Sequence, residues 1–170
     1  MPEAWLRGPV PGVTTELQPA AHALVQAGEE LASAAAGLTP AELWVKPGGA
    51  ASVGFHLKHV AGATDRLLTY ARGAALTPVQ MQALAVEGRP GEPPAEAEAL
   101  LAAARAVLDG ALETLRGTDP TDLDTPRAVG RAKLPTTVRG LLCHTAEHAL
   151  RHAGQAITTA KIVKGMHLGD

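Results

Sequence analysis

Between residues 15 and 36, Leu17, Leu24 and Leu31 recur every seven positions, with Ala20, Ala21, Ala27, Ala34 and Ala35 filling the intervals. Such a stripe of large and small apolar residues lies along one face of a helix and packs against other helices. Thr15 and Gln18 fit a capping box, Pro19 is tolerable only in a first turn, and Gly37 ends the helix. Residues 38–51 contain Pro40, Pro47, Gly48 and Gly49, which predicts a loop with room for one short helical turn. Ser52 can cap a second helix over 52–72, stopped by Gly73. Its apolar face carries Val53, His56, Leu57, Val60, Ala63, Leu67 and Ala71, while Lys58 and Asp65 point the other way.

Thr77-Pro78-Val79-Gln80 has a capping box with proline at the first helical position, announcing a short helix over 78–87. Residues 88–94, rich in Gly and Pro, read as a turn. A third long helix covers 95–116, with Leu100, Leu101, Ala104, Val107, Leu108, Ala111, Leu112 and Leu115 at helical spacing. The polar stretch 118–134, with Pro120, Pro126 and Gly130, is a long connection able to hold a short hairpin. The last helix covers 136–164, starting at Thr136 or Thr137 and ending before Gly165. The pattern predicts an all-α fold. It is a four-helix bundle with long crossover connections, a short extra helix between helices two and three, and one domain over 1–170.

Composition agrees. The 170 residues are enough for one substantial core, 46% are hydrophobic, and only 2% are aromatic. A core of Leu, Val and Ala lets helices approach closely and favours α over β. The formal net charge of −2 provides no basic footprint for nucleic acid. Cys143 is the lone cysteine, and we find no apolar run near 20 residues and no basic-then-apolar leader, so the expectation is a cytoplasmic protein that does not span a membrane.

Candidate chemistry is concentrated between Cys143 and Gln155. At about 100° per residue, His144, His148 and His152 fall within roughly 80° of one another, and Gln155 shares that face. Imidazoles four residues apart can converge on one ion, and imidazole suits Zn, Ni, Fe or Cu. An isolated pair at this spacing is more often a coincidence of surface or core than a metal site. A row of three on a bundle helix shifts that balance, and the second helix shifts it further by carrying His56 and His59. His56 lies near the centre of its apolar stripe and His59 at the edge. Periodicity slightly prefers His56 as the buried one and does not say which is a ligand.

The segment from Leu141-Leu142-Cys143-His144 through His148 to Gly154-Gln155 resembles the closing motif of the DinB-like superfamily, a histidine row ending in His-x-Gly-Gln. Ser52-Val53-Gly54-Phe55-His56-Leu57-Lys58-His59-Val60 is similar to that family's other motif, and Leu43-Trp44-Val45-Lys46-Pro47 to its lead-in. The resemblance implies a bacterial metal-binding bundle whose three ligands fall on His59, His148 and His152. It implies that His144, His56 and Gln155 stand behind the ligands or replace one of them. Where the family commonly has arginine before Gly-Gln, this chain has Ala153, which removes a nearby cation.

Three neutral histidines leave at least one coordination position for water or substrate, the mark of a catalytic rather than a closed structural site. By resemblance, the expectation is a divalent metal, Zn or Ni, serving a transferase, isomerase or hydrolase. Its substrates are small electrophiles, with a low-molecular-weight thiol of the bacillithiol or mycothiol type as partner. The alternative is a non-catalytic metal-binding or stress-response protein, and a third reading is a metal-free network of buried histidines.

Other residues carry less. Cys143 lies about 100° from His144 and reads as a small packing residue, while Asp65 and Glu147 read as solvated. Arg151 is nearer the histidine face, where a snorkelling surface arginine competes with an anion contact. Trp44 and Tyr70 are expected to pack against helix ends, and His22 and His167 to be exposed. Gly48-Gly49 lacks the spacing of a phosphate loop. The Ala-rich faces of helices one and three can support a homodimer.

Overall fold

Leu17, Leu24 and Leu31 all point into one core, together with Ala20, Ala21, Ala27, Ala34 and Ala35. In the computed structural model, which describes residues 1–166, this stripe belongs to α1, Gln18–Ala35, with Leu17 in the 3-10 turn just before it. His167 lies outside the described residues. The chain continues through a one-turn helix α2 (Pro40–Leu43), then α3 (Val53–Ala71), the short α4 (Pro78–Val86) and α5 (Ala97–Gly117). A hairpin of β1 (Pro126–Val129) and β2 (Leu134–Thr137) leads into α6 (Val138–Met166). The fold is all-α apart from that hairpin.

In the bundle, α6 packs between α1 and α3, and α5 packs on the opposite side between the same two helices. Lys164 donates to the Ala36 carbonyl, so α1 and α6 end together and run the same way. Thr159 donates to the Ala51 carbonyl just before α3, so α3 runs against α6. Arg116, near the end of α5, donates to the Pro11 carbonyl before α1, so α5 also runs against α1. Parallel neighbours α3 and α5 therefore need a crossover along the bundle, and residues 72–96 with α4 supply it.

The largest fully buried side chains include Leu17, Leu24, Leu31, Leu43, Leu57, Leu115, Leu123 and Leu142. Each buried leucine contributes roughly 1.5–3 kcal/mol. That apolar mass offsets the cost of taking a polar cluster into the α3–α6 seam, about 1–3 kcal/mol for each group left unsatisfied.

The local signals work where they are purely local. Ser52 accepts from the Phe55 N–H and starts α3, and the Thr77/Gln80 capping box starts α4. A second box, Thr39 with Glu42, builds α2 inside the expected loop. The expected Thr15/Gln18 box does not form. A 3-10 turn over Thr15–Leu17 precedes α1, and the Gln18 amide instead bonds Val10 and the Val13 carbonyl, closing the incoming segment. Helix α6 starts at Val138 because Thr136 and Thr137 are paired with Arg127 and Pro126 in the hairpin. Thr137 still accepts from the Gly140 N–H and so caps the helix. Among the described residues, no helix is long and apolar enough to cross a membrane.

Candidate metal centre

Antiparallel packing of α3 and α6 sets the two histidine-bearing faces against each other. At the start of α3, Gly54 leaves room for the Trp44 ring of the preceding loop. A Cβ there would stand 2.8 Å from the ring. Trp44 also donates from Nε1 to the Ala95 carbonyl at 3.2 Å, tying the loop before α3 to the start of α5.

His59, His148 and His152 come together, each offering a ring nitrogen, with the three atoms within 4.8 Å of one another. His59 Nε2 and His148 Nε2 are 2.9 Å apart, and the rings of His148 and His152 and of His59 and His152 have centroids 4.5 Å apart. Phe55 stacks on His59 at 5.1 Å and covers one side of the group.

The far nitrogens of two of these rings are held. His152 Nδ1 shares a hydrogen bond of 2.9 Å with Nδ1 of His56, which is almost wholly buried. His59 Nδ1 donates to Glu87 Oε2 at 2.7 Å. The other Glu87 oxygen accepts from the Arg66 guanidinium, and both Glu87 and Arg66 are buried. A second partner on a ligand histidine fixes its tautomer and turns the remaining lone pair toward an ion. In neutral His59 that lone pair is on Nε2, the atom facing His148.

Burial lowers the proton affinity of the cluster, and repulsion from neighbouring charge adds to it. His56 and His148 are each pushed down to about 4, and His152 to about 3. These rings are therefore neutral at pH 7, the form in which imidazole binds metal. Burial alone raises Glu87, but hydrogen bonds from His59 and Arg66 outweigh it and hold the carboxyl below its ordinary value. Neutral converging imidazoles with oriented far nitrogens fit a divalent ion, and the group can hold one.

The remaining sequence candidates stand around this group. His144 is exposed, with its ring 5.6 Å from that of His148 and its Nδ1 3.4 Å from Glu147 Oε2. Gln155 is exposed on a groove of about 500 Å³ lined by His56, Arg151, Gly154, Thr158 and Ile162 among others. Arg151 is exposed and paired with Glu147 at 2.7 Å.

Several outlying expectations change. Cys143 is exposed rather than packed, because Leu142 and Ala146 take the inward positions of that turn. His22 is partly buried, pinned through Nε2 to the Gly8 carbonyl at 2.9 Å by the N-terminal segment folding over α1. Asp65 is partly buried and accepts from Gln80 Nε2 at 2.7 Å, since α4 lies beside it. Glu87 and Arg66 were not among the sequence candidates. Arg66 stands seven residues after His59, hence on the same side of α3, and that spacing was a usable signal. Glu87 sits 28 positions beyond His59 in a turn-rich stretch and had none.

None of the curated proteins matches the chain. The DinB superfamily pattern matches residues 23–156, from within α1 into α6 and with all four buried or half-buried histidines of the α3–α6 seam, and the chain belongs to that superfamily.

Proposed function

We propose that His59, His148 and His152 ligate one divalent cation, zinc or nickel, and that the protein is a metal-dependent enzyme joining a low-molecular-weight thiol to a small electrophile. The observation that carries this reading is the three-nitrogen group itself, with all atoms within 4.8 Å and no carboxylate among them. A divalent ion on three neutral nitrogens supplies Lewis-acid charge that makes a thiol or water more acidic near neutral pH.

The chain's own residues support substrate handling. Arg151 and Gln155 line the groove that starts at His56, giving a cation and an amide for a carboxylate-bearing thiol. Gly154 and Thr158 are small and Ile162 is apolar, which leaves that groove room for a small substrate. Phe55 shields one side of His59 from water. His56 keeps His152 oriented through its Nδ1.

Zinc- or nickel-loaded protein incubated with thiols and electrophiles tests the proposal. Thiol consumption should be lost in His148→Ala and His152→Ala, and consumption that survives both sinks the metal-enzyme reading. A second reading, a non-catalytic metal-binding protein, draws on the placement of the group between two helices distant in sequence. Stoichiometric, chelator-removable metal without turnover of any thiol selects it.

A further inference from the structure

Glu87 is the one buried residue between positions 72 and 99. Carboxylates are rarely buried unless paired, and this one is the deepest anchor of a whole crossover. Helix α4, just before it, buries none of its own residues and leaves Val79, Met81, Leu84 and Val86 exposed. Apolar packing therefore does not hold this segment in place.

The seat for Glu87 is a single stripe of α3: His59, Gly62 and Arg66. His59 donates to one carboxylate oxygen at 2.7 Å and Arg66 to the other. Gly62 lies beneath, and a Cβ there would overlap Glu87 Oε1 and stand 2.8 Å from the Arg66 guanidinium. Both hydrogen-bonding partners and the missing side chain are thus fitted to one carboxylate from a distant segment. The other ties of this segment to α3 are peripheral: Gln80 Nε2 to Asp65 Oδ2 at 2.7 Å and to Thr69 Oγ1 at 2.8 Å, and Lys58 Nζ to the Arg89 carbonyl at 2.8 Å.

We propose that Glu87 is the positioning residue of the metal centre, seated by Arg66 over Gly62 so that it holds His59 with Nε2 turned inward. This rests on the reading that His59 is a ligand. Because the carboxylate arrives on the crossover, docking of α4 and binding of the ion are coupled, each strengthening the other by the same factor.

Zinc affinity by competition with a chromophoric chelator, the cobalt(II) absorption spectrum and hydrogen exchange across residues 78–89 test this in the full chain. Glu87→Ala should weaken zinc 10- to 100-fold, the range for loss of such a partner, and alter the cobalt spectrum. Glu87→Gln keeps an acceptor for His59 Nδ1 and should recover part of that loss. Gly62→Ala leaves Glu87 in the chain yet displaces it, and should weaken zinc in the same direction. If Glu87→Ala does not fold, Glu87→Gln and Gly62→Ala carry the comparison. Zinc should slow exchange across α4 in the wild type and not in Gly62→Ala.

Gln80→Ala removes a peripheral tie of α4 while Glu87 keeps its seat on His59 and Arg66, so α4 stays docked and zinc affinity should stay within about twofold. If Gln80→Ala weakens zinc as much as the Glu87 and Gly62 variants, the carboxylate is only a tether and the proposal is overturned. It is equally overturned if Glu87→Gln and Gly62→Ala bind as tightly as the wild type while His148→Ala does not bind, a result that leaves the centre standing. A wild type that takes up no zinc overturns the metal centre and this inference together.

Discussion

Acidification of the metal-free protein from pH 6.5 to 5 should destabilise it more steeply than its overall composition suggests. His56, His148 and His152 are neutral in the folded chain, with pKa values of about 4, 4 and 3, and return to about 6.5 on unfolding. In this window the unfolded chain binds more protons than the folded one, so stability is full above pH 6.5 and falls as pH falls toward 4. Each such proton changes the unfolding free energy by about 1.36 kcal/mol per pH unit, so three set a ceiling of about 4 kcal/mol per pH unit. Glu87 is held below its ordinary value. Its contribution has the same sign and is lost only as pH falls below about 4.5, outside the window. Urea unfolding of chelator-treated protein at half-unit pH steps gives the proton number as a slope. His56→Leu should reduce it by nearly one proton. A wild-type slope of less than one proton between pH 6.5 and 5 refutes the placement of neutral imidazoles in the seam.

Three further outcomes follow. His148→Ala and His152→Ala should each drop metal content far below one ion per chain by elemental analysis. They should also abolish metal-induced thermal stabilisation, worth about 2.7 kcal/mol when free ion is a hundredfold above the dissociation constant. Gly54→Ala should cost about 1–2 kcal/mol in thermal unfolding, because a Cβ 2.8 Å from the Trp44 ring must displace a packed indole. The overpacking cost of about 1–3 kcal/mol outweighs the helix gain of about 0.5–1 kcal/mol, and in a Trp44→Leu background the same change should be neutral or stabilising. Thr137→Ala removes the acceptor for the Gly140 N–H at the start of α6 and should cost about 1 kcal/mol by denaturant titration.

The heptad of Leu17, Leu24 and Leu31 made α1 legible in the sequence, because a repeating apolar stripe has few other uses. Boundaries were less legible wherever a polar side chain had a distant partner. Gln18 reads as half of a capping box, yet its amide is taken by Val10 and Val13. Thr136 reads as a helix start, yet the strand partner Arg127 holds it in the hairpin. In the candidate centre, spacing alone grouped His148 with His152, and the family motif singled out His59 over the more central His56. The structure shows why periodicity was ambiguous: His56 is the more buried ring, and its nitrogen meets His152 from behind. Glu87 could not be read at all, since its role comes from a crossover whose own pattern is exposed and apolar.

The converging nitrogens come from positions 89 or more residues apart, on α3 and on the last described helix. During synthesis, the His59 ring is therefore complete long before its partners exist, and His59 with His56 alone lacks the convergent geometry. The three-nitrogen group therefore exists only where α6 lies along α3, held there by the same packing that buries the core leucines of the long helices. On the proposed metal reading, the ion is therefore chosen by a site that the fold itself assembles. On that reading, a change in the metal supply would replace the occupant while the helices that carry the nitrogens stay as they are.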